Sequence, residues 1–195
     1  MPTAEYDLRY FQAGIDQLEN YLLSDDLYWS VQTVQPSGTP PYPQLTPGGL
    51  LLARARLDAS AQAPDLQARL NQHNLRFEQL VNNWRSAWGK KCRQDFRARL
   101  NLWTNFLNEY RDRPAANADR YAYEVQRRVQ LQLLAPEARD LPTAELESLG
   151  GLDALLRALL VPGPFAWETA LQPAFPESLF WYLYGGLRSD LPDAG

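Results

Sequence analysis

The sequence predicts an all-α fold, and three observations carry that prediction. The first is the stretch from Leu66 to Tyr110. Apolar or semi-polar residues recur there about once per helical turn: Leu66, Leu70, Asn74, Phe77, Val81, Trp84, Trp88, Cys92, Phe96, Leu100, Trp103, Leu107 and Tyr110. Steps of three and four place them on one face of a helix turned toward a core. The second is a shorter stripe of the same kind, Leu8, Phe11, Ile15, Leu18 and Leu22, with Asp16, Glu19 and Asn20 opposite. The third is the scarcity of β signals. Only Leu27–Val34 (LYWSVQTV) is rich in β-favouring residues. A lone strand lacks a partner, so this segment is expected to be an extended loop packed on a helical bundle.

In chain order, the first helix is expected from Ala4 to about Leu23, where Ser24, Asp25 and Asp26 interrupt the pattern. The segment QPSGTPPYPQLTPGG follows, with five prolines. Pro40, Pro41, Tyr42 and Pro43 suggest a short polyproline II piece, read as a stiff crossover loop or a docking segment for an aromatic groove. Thr46 can cap a helix whose first residue is Pro47, where a missing N–H costs least. Leu50, Leu51, Leu52, Ala53 and Leu57 carry that helix to Ser60, with Arg54 and Arg56 at its exposed edge.

The central helix is expected from about 64 to 111, either continuous or kinked at Gly89. Unbroken, it would be about 70 Å long at 1.5 Å per residue. That exceeds the diameter of a compact chain of 195 residues. The stripe keeps its phase across Gly89, and no capping residue follows that glycine, which favours continuity. Arg113-Pro114 ends the helix. Asn117 then caps a helix from Ala118 to Leu134, with Tyr121, Val125, Val129 and Leu133 inward. Arg120, Glu124, Gln126, Arg127 and Arg128 fall outside that face. Residues 1–136 form the expected bundle core of a single domain spanning 1–195. Residues 137–195 are expected to add short helices over Thr143–Leu149, Leu152–Leu160 and Pro176–Tyr184, bounded by Gly150 and Gly185. This aromatic-rich tail carries Phe165, Trp167, Phe175, Phe180, Trp181, Tyr182 and Tyr184. Rings so crowded must be buried against the bundle or a partner.

Composition narrows the chemistry. Net charge is -4, too mild for a surface wholly devoted to nucleic acid. Lys90 and Lys91 are the only lysines, so basic charge is almost all arginine. That fits a coding bias or bidentate anion pairing. With one cysteine, Cys92, and one histidine, His73, neither a Cys/His zinc site nor an intramolecular disulfide can form. On one straight helix, Cys92 and His73 would lie roughly 28 Å apart, too far for a dyad. The opening residues have no basic, apolar signal pattern and no apolar run is long enough to span a membrane, so the expectation is a cytoplasmic chain. No phosphate loop, dinucleotide fingerprint or nucleophile elbow is present. The glycine pairs Gly48-Gly49, Gly150-Gly151 and Gly185-Gly186 lack those contexts.

Three surfaces remain. Arg85, Lys90, Lys91, Arg93, Arg97 and Arg99 surround a single acid, Asp95, among the tryptophans Trp84, Trp88 and Trp103. Cations and rings could serve phosphates and bases, but the rings share the apolar stripe while the cations lie around the other side. Asp25-Asp26 and Asp16/Glu19 could form a carboxylate site but more simply mark helix ends and faces. His73 sits among amides near the stripe. No catalytic residue, metal ligand or cofactor is assigned.

The leading expectation is a non-enzymatic helical interaction module or assembly subunit, because the overlong stripe and aromatic tail expose more apolar surface than a small bundle hides. Its candidate partner surface is Arg85, Lys90, Lys91, Arg93, Arg97, Trp181 and Tyr184, facing a protein partner or a second copy. One alternative is nucleic-acid binding through the Arg85–Arg99 face. The other is an enzyme or small-ligand binder with a core cavity among Trp29, His73, Trp84 and the aromatic tail.

Overall fold

A computed structural model describes residues 3–34, 38–60 and 63–190. Part of the proline run, 35–37, and the extreme ends lie outside the described residues. The structure is 72% helical, with nine helices and one two-stranded sheet among the described residues, so the chain is all-α.

Helix α1 (Ala4–Leu23) begins where Thr3 Oγ1 accepts the Tyr6 N–H at 3.2 Å. Its stripe is buried as predicted, joined by Tyr6, Tyr10 and Tyr21. The segment after it forms no strand. Trp29 and Leu45 make one isolated antiparallel bridge, and Trp29 lies edge-on to Tyr21. The proline crossover is held by α1 itself. Tyr6 Oη donates to Pro41 O at 3.0 Å and Tyr10 Oη to Gln44 O at 3.3 Å. The Tyr42 ring lies 4.6 Å from Tyr6 and 6.0 Å from Tyr10. The crossover thus packs against two tyrosines of α1.

Helix α2 (Pro47–Ser60) starts as expected, with Thr46 Oγ1 accepting from Gly49 N at 3.1 Å. The central stripe divides into α3 (Pro64–Asn83) and α4 (Arg85–Asp112). The interruption falls at Trp84 (φ -112°, ψ 33°), not at Gly89, which is helical and buried inside α4. Main-chain bonds from Trp84 N to Leu80 O and from Trp88 N to Trp84 O bracket the kink. Packing accounts for it. Phe77 and Trp88 are eleven residues apart, about 16 Å along a straight axis, yet their ring centres stand 5.4 Å apart. Bending at Trp84 lets both halves pack on α1. The amides of Asn82 and Asn83 just before it are weak helix formers. A Cβ at 89 would make only ordinary contact with the chain at Glu137 and Arg139, at 3.7–3.9 Å, so packing there does not require glycine.

The stripe is covered by the chain itself. Leu70, Phe77, Val81, Trp88, Cys92, Phe96, Leu100, Trp103, Leu107 and Tyr110 are all buried, with α1, α2 and the helices that follow packed on them. The ridge that suggested an obligatory partner is answered internally.

The helix expected over Ala118–Leu134 is instead a 3-10 turn (Ala118–Arg120) followed by α6 (Tyr121–Glu124) and α7 (Gln126–Leu134), with the short α5 (Pro114–Asn117) before them. Asn117 does not start a helix; it closes one. Its Nδ2 donates to Glu109 O at 3.0 Å and Arg113 O at 2.9 Å, satisfying carbonyls at the end of α4. Glu124 and Arg128, expected on the outer face, are buried. Glu124 pairs with Arg120 and Arg127. Arg128 grips Asp153 with two bonds of 2.7 and 2.8 Å. Paired charge is what burial tolerates.

Asp153 sits on α8 (Thr143–Leu159), which runs through Gly150-Gly151 rather than stopping there. Each glycine costs a helix only about 1 kcal/mol, less than the Arg128–Asp153 anchor and buried Leu149 and Leu156 can offset. The strands β1 (Leu160–Phe165) and β2 (Tyr184–Leu187) pair antiparallel. Proline and glycine in LVPGPF and YGGL hid them from sequence reading. Gly185 is not a helix stop but a strand contact: a Cβ there would lie 2.3 Å from Val161 O. Between the strands, a 3-10 turn (Thr169–Ala174) and α9 (Glu177–Phe180) carry the aromatic tail. Edge-to-face contacts link Phe165, Trp167, Phe175, Phe180 and Tyr182. Trp167 Nε1 donates to Ala122 O and Tyr121 Oη to Tyr182 O, docking the tail on α6. No helix among the described residues is long and apolar enough to cross a membrane.

Candidate functional site

The predicted basic face is largely paired within the molecule. Arg85 lies 3.6 Å from Glu137 and Lys90 3.9 Å from Asp25. Arg93 donates to Arg139 O and Arg97 to Glu145. Lys91 is 2% exposed. Its Nζ bonds Asp26 O and Ser24 Oγ and stands 4.4 Å over the Tyr21 ring. It caps the end of α1 rather than facing solvent, and burial lowers its pKa. Lys90, Arg93 and Arg97 do share a small pocket with Asp140 and Glu145. Trp181 and Tyr184 are brought together on another side, around a shallow depression with Arg157 and Glu177. The Arg157 guanidinium stacks 3.8 Å over Trp181.

Five clefts among the described residues do not bring Trp29, His73, Trp84 and the tail together as expected. Trp29 bonds Gln17 on α1, and Trp84 lines a surface depression with Arg85 and Lys90. His73 is half-buried on α3, its pKa lowered by burial and by Arg69 and Arg76. Cys92 is buried, and its thiol pKa is pushed far up by desolvation, so it is no nucleophile.

A different cleft, of about 450 Å³, opens between α1, α2, α4 and α7. Its floor grows from the start of α2. The Asp95 carboxylate is fully buried and reaches across from α4: Oδ2 accepts the Gly48 N–H at 2.7 Å, and Oδ1 accepts from Arg99 Nε at 2.9 Å. Arg99 Nη2 donates to Thr46 Oγ1 at 3.0 Å. An anion thus sits at a helix N-terminus, where free N–H groups and the helix dipole favour it, but the anion is a side chain of the protein. Glycine at 48 makes room, since a Cβ would meet Asp95 Oδ2 at 2.8 Å and Leu134 at 3.2 Å.

The walls are polar and partly unsatisfied. Asp7 on α1 is 5% exposed. Arg56 Nη1 stands 3.8 Å from its Oδ1, an ion pair beyond hydrogen-bond range. Desolvation raises the Asp7 pKa to about 6, with Arg56 opposing and Glu168 adding. Gln130 on α7 is buried, and its Oε1 has no hydrogen-bond partner. Tyr6, Tyr10, Gln44, Gln126 and Tyr123 complete the lining. Burial pushes the Tyr10 hydroxyl pKa well up, keeping it neutral.

Sequence reading missed these residues, although phase could have exposed two of them. Asp7 extends the line Phe11–Ile15 by one turn, and Asp95 lies three residues after Cys92 and beside Phe96. A carboxylate in phase with a buried stripe is either paired or perturbed. Arg56, Thr46 and Gln130 converge on them only in three dimensions. No family model, curated protein or solved structure matches the chain.

Proposed function

We propose that this chain binds a small polar ligand in the cleft between α1, α2, α4 and α7. The observation that carries the reading is the pair of buried, under-partnered groups in one cavity: Asp7, whose arginine stands off at 3.8 Å, and Gln130, whose Oε1 has no partner. Native interiors rarely leave such groups unmet, and a cleft with a few convergent polar groups and a perturbed titratable residue is the usual form of a ligand site. The volume falls within the roughly 300–1,000 Å³ common for such sites. A fragment screen by ligand-observed NMR, with binders mapped by amide shifts, tests it. Hits clustering at residues 44–56 and 126–130 support the reading; no hits, or hits mapping elsewhere, refute it.

A second reading, a protein-interaction module, is favoured by the Arg157–Trp181 stack beside Tyr184 and Pro162, since tryptophan and arginine are preferred interface anchors. Light scattering at micromolar concentration tests self-association through it. A strict monomer whose behaviour Trp181→Ala leaves unchanged removes that version. The nucleic-acid reading has less support, because the cations of the Arg85–Arg99 face already hold internal partners.

A further inference from the structure

We propose that the ligand of the Asp7–Gln130 cleft is a small organic cation, an amine, amidine or guanidine, whose N–H groups bond the Asp7 carboxylate and Gln130 Oε1. The inference rests on the cleft being a ligand site and goes on to its chemistry.

The wall's donors and acceptors are unequally spent. Arg99 commits Nε to Asp95 and Nη2 to Thr46. Tyr6 Oη donates to Pro41 O, and Tyr10 Oη to Gln44 O. Two acceptors of the wall are unmet. Gln130 Oε1 is buried without a donor. The Asp7 carboxylate is buried with its arginine too far for a hydrogen bond. A hydroxyl that donates still keeps lone pairs facing the cleft. A ligand that supplies donors answers these groups.

Charge agrees with this. The two arginines of the wall each face a carboxylate of their own, Arg56 with Asp7 and Arg99 with Asp95. Arg99 is thereby neutralised by a fully buried partner. A ligand cation between Arg56 and Asp7 would bond the carboxylate that Arg56 only approaches. The rings of Tyr6 and Tyr10 line the same space, and Tyr123, 68% exposed, stands at its edge. Tyrosine faces attract cations within about 6 Å.

Three isosteric probes separate the possibilities: benzamidine, a cation; benzamide, neutral; and benzoate, an anion. Each is titrated into the full chain at pH 7.5 and followed by amide shifts. Benzamidine is expected to perturb residues 44–53 and 126–130 and to bind at least about tenfold more tightly than benzoate. Asp7→Asn keeps the shape, removes the charge and is expected to weaken benzamidine about tenfold while its spectrum remains that of the folded protein. Gln130→Leu is expected to weaken benzamidine and benzamide alike. Benzoate binding as well as benzamidine, or Asp7→Asn leaving benzamidine unaffected, overturns the cationic assignment. So does silence from all three probes. If the fragment screen nevertheless finds cleft binders, the ligand site stands and only its assigned chemistry falls.

Discussion

Replacing Asp95 with alanine is the sharpest test of how the cleft floor is built. The carboxylate is fully buried. It accepts one bond from Gly48 N at 2.7 Å and one from Arg99 Nε at 2.9 Å. Alanine would leave the Gly48 N–H orphaned at the start of α2. It would also leave the Arg99 guanidinium, with side-chain exposure of 17%, without its counter-charge. Breaking a buried pair from one side costs about 3–5 kcal/mol. Within that total, the lost charge-assisted bond to an N–H accounts for roughly 1.5–3 kcal/mol. For a chain of this size the melting temperature should fall by roughly 10 °C. Urea denaturation of Asp95→Ala, Arg99→Ala and the double variant measures both the loss and the coupling. The double variant should be less destabilised than the sum of the singles, because the second substitution removes a charge already stranded by the first. A loss under about 1 kcal/mol for Asp95→Ala, or strict additivity, would show that Asp95 does not organise the start of α2.

Other outcomes follow from single residues. Asp7 has its pKa raised from 3.8 to about 6. The folded state therefore takes up this proton before the unfolded chain does, and the stability tied to protonated Asp7 is complete below pH 4 and lost as pH rises through about 6. The span is worth roughly 3 kcal/mol. Asp7→Asn should then be more stable than the parent at pH 7.5, with the gap closing toward pH 4 in denaturation curves; a gap that is constant with pH would contradict this. Gly185→Ala should destabilise by about 1–3 kcal/mol through its clash with Val161 O, whereas a Cβ at Gly186 meets nothing within 4 Å, so Gly186→Ala should be milder in the same thermal melt. The Cys92 thiol, buried and with its pKa raised, should react with a disulfide reagent only as fast as the protein unfolds; rapid labelling of the native chain would place it near the surface.

The sequence by itself determined the helical class and which faces of α1, α3 and α4 are buried, because a 3.6-residue period is a property of the chain and survives any packing. The stripes of α1, α3 and α4 lie where their spacing put them. Thr46-Pro47 started α2 because capping and a missing N–H act within one turn. Tertiary structure decided what one turn cannot encode. The bend fell at Trp84 because Phe77 and Trp88 had to meet over α1, while Gly89, the locally weaker point, stayed helical against the chain at Glu137. Leu160–Phe165 and Tyr184–Leu187 became strands only because each supplied the other's ladder across the eighteen residues between them. The cleft itself joins α1, α2, α4 and α7, so the loose Asp7–Arg56 pair and the unmet Gln130 oxygen exist only once those helices have packed.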